Sequence, residues 1–232
     1  MDTLYTPEGS LLGELSAVRE AVRLPGFWLG ARRRLPRGDR TVVVVPGFGT
    51  GDGSTVVLRA TLRSLGHDVR GWGLGRNGGD VEALLPRVTE VVTAAASEGP
   101  VDLVGWSLGG YLAREVARDR PDCVRQVVTL ASPVIGGPKY TAAAGFFRDR
   151  LGVDLDDIEA QVEARNEVPL TVPVLALYSE SDDVVCPAAC IDHHSPDVEH
   201  RRVNHCKHAS FGFNPEVLAM VAERLVRDHH AH

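Results

Sequence analysis

Thr41-Val42-Val43-Val44-Val45 places five β-branched residues in a row with no charge among them. Such a run suits a strand covered on both faces, which requires a sheet with helices on each side. The rest of the chain keeps this rhythm. Short strands are predicted at 67–72, 101–105, 125–131, 173–178 and 199–203, and helices at 54–65, 80–97, 108–118 and 215–227. Strands alternating with helices imply parallel neighbours joined by right-handed crossovers. Ser10 precedes Leu11, Leu15, Val18 and Val22 at helical spacing, so an amphipathic helix is expected over 10–22, ended by Pro25. Residues 27–35 read as an edge strand or a wrapping loop. The 232 residues show no composition break and no internal repeat. A single α/β domain over 1–232 is expected, with a mostly parallel sheet of about six or seven strands.

Charge and composition exclude several classes. A net charge of −6 argues against a nucleic-acid surface, and Arg32-Arg33-Arg34 lacks the interleaved aromatics of a binding patch. No apolar run approaches the roughly 20 residues that cross a bilayer. Met1-Asp2-Thr3-Leu4 opens no secretory signal, so a cytoplasmic location is expected. Of the four cysteines, Cys186, Cys190 and Cys206 fall close together among His193, His194, His200, His205 and His208. Closed zinc sites use tighter paired spacings than Cys186-x3-Cys190, so no metal is expected. A Cys190–Cys206 disulfide fits the spacing but not a reducing cytosol.

Gly105-Trp106-Ser107-Leu108-Gly109 follows the apolar run Val101-Asp102-Leu103-Val104 and precedes a helix whose inward face is Leu112, Ala113, Val116 and Ala117. A Gly-x-Ser-x-Gly turn between strand and helix lifts the serine hydroxyl above the sheet, which makes Ser107 a candidate nucleophile. A serine hydroxyl needs a general base, and that base needs an orienting carboxylate. On sheets of this kind reactive groups collect at the carboxyl ends of strands. After the strand ending at Tyr178 come Glu180, Asp182 and Asp183. Asp182 and Asp183 both fit by position, with Glu180 third. Asp182 is favoured as a carboxylate able to reach over the sheet top, while Asp183 caps the short helix that follows or faces solvent. After Val203 come His205 and His208; His208 is favoured because its loop runs into the last helix, with Asn214 as N-cap. His67, His193, His194 and His200 read as surface residues. A developing oxyanion needs backbone donors. Leu108 N–H, at the start of the helix, is one candidate. Phe48 N–H, in the Pro46-Gly47-Phe48 loop, is the other. The glycines at 47, 49, 51 and 53 lack the Gly-Lys-Ser/Thr ending of a phosphate cradle, so a nucleotide role is not expected.

In this order, Pro46-Gly47-Phe48, Gly105 through Gly109, Asp182 and His208 resemble the α/β-hydrolase fold from its third strand to its last helix. Gly71-Trp72-Gly73-Leu74-Gly75-Arg76-Asn77-Gly78-Gly79 resembles the Trp-x-Leu-Gly-Arg-Asn turn of small bacterial lipase/esterase-like hydrolases. Tyr178 through Val185 and His208 through Pro215 carry the same likeness, which covers roughly 40–227. It implies Ser107 as nucleophile, His208 as base and Asp182 as its partner. Two departures stand out: Pro46-Gly47 replaces a common His-Gly, and Asp183 stands where many relatives carry glycine. The N-terminal antiparallel strands of larger relatives are missing or replaced by the 10–22 helix.

The expected function is therefore a serine carboxylic-ester hydrolase that works through an acyl-enzyme, without metal or organic cofactor. A thioesterase or acyltransferase would use the same groups, and a non-catalytic ligand-binding protein could share the fold. Residues 137–168 fall where this fold inserts a cap or lid. Phe48, Trp106, Phe146 and Phe147 are candidate substrate contacts, while Leu151, Val153, Leu155 and Ile158 either line an acyl pocket or seal the core. The partner expected is a small ester with an apolar acyl group.

Overall fold

The computed structural model describes residues 3–9, 30 and 34–227. The helix expected over 10–22 and most of the 27–35 segment lie outside these residues. Six strands form one parallel sheet: β1 (Thr41–Val45), β2 (Asp68–Gly71), β3 (Val101–Trp106), β4 (Val124–Leu130), β5 (Val174–Tyr178) and β6 (Val198–Arg202). The spatial order is β2-β1-β3-β4-β5-β6 and every neighbouring pair is parallel. The helices are α1 (Val56–Ser64), α2 (Val81–Ala95), α3 (Leu108–Asp119), α4 (Ala144–Leu151), α5 (Leu155–Asn166) and α6 (Pro215–Leu225).

Both faces of the sheet are covered. Val42 and Val44 face the layer that holds Leu58, Leu62, Val217 and Val221 of α1 and α6. Val43 and Val45 face Val88, Val92, Leu112 and Val116 of α2 and α3. That two-sided burial is why β1 carries no polar alternation. The register then lines up the strand ends. Val45 pairs with Gly105, Trp106 with Leu130, Leu130 with Leu177, and Tyr178 with Arg202. The loops after β1, β3, β4 and β5 therefore emerge along one edge. Successive strands are added on opposite sides of β1, which makes the β1/β3 boundary a topological switch point, the usual place for a crevice.

Helix α3 departs from the expected one-faced pattern. Tyr111 through Ala117 are all buried, Arg114 and Glu115 included. The sheet covers one side, and α5 and the 187–195 loop cover the other. Arg114 meets Asp192 at 2.7 Å, and Glu115 meets both Arg118 and Arg165. Buried charges persist only when paired in this way. Two histidines also differ from expectation. His67 is buried because the chain at Gly38 folds across its ring, and burial lowers its pKa. His200 is half-buried and its Nε2 accepts the Asp192 N–H at 2.9 Å, since the 187–195 loop covers β6 there.

Candidate active site

Ser107 has φ 54° and ψ −125°, a strained conformation for a residue with a side chain. Its surroundings explain how that strain is held. Ser107 N–H donates to Leu130 O at 2.8 Å, and Ser107 O accepts from Gly110 N–H as α3 begins. A Cβ on Gly109 would sit 2.3 Å from Val45 O, and one on Gly105 would sit 2.4 Å from Gly109 O. Glycine at 109 thus lets the first turn of α3 rest against the end of β1. Gly47 lies on the other side of the serine; a Cβ there would be 3.2 Å from Ser107 Cβ.

The loop carrying Gly47 and Phe48 is fixed by a fully buried Asn77. Asn77 Nδ2 donates to Pro46 O at 2.9 Å, and its Oδ1 accepts from Gly79 N–H at 3.2 Å. Its backbone pairs with Gly49 N–H at 2.8 Å and Thr50 O at 2.7 Å. Asp52 accepts from the N–H groups of Trp72 and Gly73. The loops after β1 and β2 are stitched together, and Gly47 is held beside the serine. Among the described residues no acceptor engages the N–H of Phe48 or Leu108.

After β5 the chain turns so that Asp182 Oδ1 accepts from Val184 and Val185 N–H, each at 2.8 Å. The other oxygen, Oδ2, lies 2.8 Å from His208 Nδ1. The side chains of this pair are 2% and 11% exposed, so solvent barely screens them. Asp183 instead pairs with Lys207 Nζ at 3.6 Å. His208 opens a short 3-10 turn (His208–Ser210), and its ring packs on Trp106 with centroids 5.9 Å apart. His205 is exposed at a turn with φ 50°.

Ser107 and His208 line one cavity of about 770 Å3. Gly47, Phe48, Trp106 and Leu108 contribute to its wall, with Leu85 from α2 and Tyr111 from α3. Its far side is the β4–β5 connection, including Phe147, Val153, Ile158 and Val162. That connection is anchored: Tyr140 Oη donates to Glu159 at 2.5 Å, Lys139 bridges Asp156 and Glu159, and Thr141 pairs with Val185. Phe48 packs on Phe146 and Phe147, with centroids 5.4 and 5.0 Å apart.

No family model matches the chain. Over 212 residues it is 27% identical to the pimeloyl-[acyl-carrier protein] methyl ester esterase of Aeromonas hydrophila, covering 68% of this chain and 83% of that protein. The enzyme of that name from Sodalis glossinidius is 38% identical over 107 residues, 45% of this chain and 40% of that protein. The polyketide synthase ThaQ of Burkholderia thailandensis is 34% identical over 137 residues, and there the match spans only 6% of the relative's length. Solved structures agree over most of their length. A monoacylglycerol lipase from Paleococcus ferrophilus superposes with a TM-score of 0.62 at 18% identity, covering 82% of this chain and 96% of that one. Another, described as an α/β hydrolase enzyme from the metagenome of Mar Chica lagoon sediments, gives 0.60 at 18% identity, covering 82% and 91%. The chain has the α/β-hydrolase fold.

Of the residues singled out from the sequence, this α/β-hydrolase fold gathers Ser107, His208, Phe48, Leu108, Trp106 and Phe147 around one cavity, with Asp182 behind the histidine. Phe146 does not line it. That side chain is 41% exposed and touches the outer side of the aromatic cluster, because consecutive helical residues point about 100° apart. Leu151, Val153 and Ile158 line the cavity; Leu155 does not. All four cysteines are buried and none is in a disulfide, so Cys190 and Cys206 form no bridge. Burial, then Asp182 and Cys186, push the Cys190 thiol pKa well up, which leaves it inert. Among the described residues no group of three side chains could hold a metal, and no helix is long and apolar enough to cross a membrane. Sequence reasoning missed Tyr111, Leu85 and the fixing role of Asn77. Tyr111 was within reach, since it stands one helical turn after Ser107 on the same face of α3.

Proposed function

We propose that this chain is a serine carboxylic-ester hydrolase. The observation that carries the reading is the buried Asp182–His208 contact of 2.8 Å at the wall of the cavity that Ser107 also lines. His208 Nε2 takes the Ser107 proton as Oγ attacks the ester carbonyl. Asp182 fixes the tautomer with hydrogen on Nδ1 and stabilises the imidazolium. The N–H groups of Phe48 and Leu108 receive the oxyanion; their lack of a partner within the described residues supports this assignment. Collapse of the intermediate releases the alcohol, protonated by His208, and leaves an acyl-enzyme. Water, deprotonated by His208, then releases the acid. Residues 137–168 act as a small cap, and its apolar wall favours an acyl group over a charged one. No metal or organic cofactor enters these steps.

The test is covalent labelling with a fluorophosphonate, alongside turnover of p-nitrophenyl esters. Wild type is expected to label and turn over, and Ser107→Ala to lose labelling and at least about 10³-fold in kcat/KM. Labelling that survives the substitution rejects the assignment. A thioester substrate is the second reading. It is favoured by the match to polyketide synthase ThaQ and by the fold shared with the thioesterase domain from the curacin biosynthetic pathway (TM-score 0.56, 12% identity, 84% of this chain and 92% of that one).

A further inference from the structure

The cavity is not apolar throughout. Ser107, Tyr111 and Glu115 share one face of α3 and all contribute to the wall. With a rise of about 1.5 Å per residue, Tyr111 stands about 6 Å and Glu115 about 12 Å along the helix from the nucleophile. Beyond Tyr111 the wall ends in charge, where Arg165 of α5 reaches Glu115 and Asp119. Those charges satisfy one another. Tyr111 is different. The residue is only 8% exposed, and its hydroxyl engages no described residue. That oxygen is not among the sealed polar atoms without a partner, so it opens onto the cavity that Tyr111 lines. Tyr140, by contrast, spends its hydroxyl on Glu159. Burial raises the Tyr111 pKa, with Glu115 adding to the shift, so the group stays a neutral donor.

Water that enters the cavity can meet that hydroxyl. A bound acyl chain expels the water, and a buried donor left without an acceptor is costly. A plain hydrocarbon offers nothing in return, whereas a chain bearing an oxygen at that depth does. We propose that Tyr111 is a specificity-determining residue whose hydroxyl donates to an oxygen on the acyl chain, making oxygenated acyl esters the preferred substrates over plain alkanoates. The inference rests on the ester-hydrolase reading above and names its substrate class.

The experiment compares p-nitrophenyl hexanoate and octanoate with their ω-hydroxy and ω-methoxycarbonyl counterparts, for wild type and Tyr111→Phe. Wild type is expected to favour at least one oxygenated ester by about tenfold or more in kcat/KM, and the variant to bring that ratio close to one. A purely structural tyrosine would lower both substrate classes together and leave the ratio in place, which overturns the proposal. So does a wild-type ratio near one. If wild type neither labels with fluorophosphonate nor cleaves any ester, the ester-hydrolase reading fails and takes this inference with it.

Discussion

Asn77 shows how one side chain can govern a site it does not enter. Its amide satisfies Pro46 O on one loop and Gly79 N–H on its own, and both groups are buried. Asn77→Ala leaves a carbonyl and an N–H unpaired, so unfolding free energy is expected to drop by about 2–4 kcal/mol in urea titration. If Phe48 N–H is the oxyanion donor, kcat should fall more than KM rises, because the donor acts mainly in the transition state. The carboxylate question was harder to read from residues alone. Adjacent Asp182 and Asp183 are equivalent by position. What separates them is a turn whose Val184 and Val185 N–H groups clasp one carboxylate, and a lysine at 207 that draws off the other. Neither constraint is written in the spacing. His67 was misread for a related reason: what covers it is a segment distant in kind from its own strand, near Gly38.

At the scale of elements, the strands and helices of the sheet were legible because burial on two faces imposes continuous apolar runs. The observed bounds fall within about two residues of the expected ones, except where helix 54–65 begins as a 3-10 turn (Asp52–Thr55). Asn214 caps α6 as expected, accepting from Glu216 and Val217 N–H. The elements that build the far wall of the cavity were not legible beyond their place in the chain. Helices α4 and α5 carry little one-sided pattern, since they rest on a cavity rather than on a core. The strand-turn-helix of β3 and α3 makes the sharpest demand. Gly109→Ala puts a methyl group against Val45 O and Pro46 O, both backbone atoms that cannot rotate away. Destabilisation of at least about 2 kcal/mol is expected in urea, with loss of activity at temperatures where the protein is still folded.

For the whole molecule, the two-sided sheet has an electrostatic cost at the end away from the site. Asp102 on β3 is fully buried, and burial pushes its pKa up to about 6, partly offset by Arg125 and Gln126. The unfolded chain releases this proton near the ordinary value of 3.8, so between about pH 4 and 6 the folded form holds the extra proton. Stability from this group is therefore full below pH 4, lost as pH rises through 6, and flat above. Asp102→Asn removes the dependence. Relative to wild type, the variant should gain about 2–3 kcal/mol between pH 4 and 7, read as the difference between two urea-unfolding profiles. The difference matters because His67 and His200, whose pKa values burial lowers, tilt each profile in the opposite sense.

Phe48 belongs to the floor through its main chain and to the roof through its ring, wedged against both phenylalanines of α4. An engineer who transplants a foreign roof onto this sheet would unseat that ring and disturb the floor beneath it. Selectivity and turnover in this scaffold would then have to be redesigned together, with any new roof supplying its own aromatic socket.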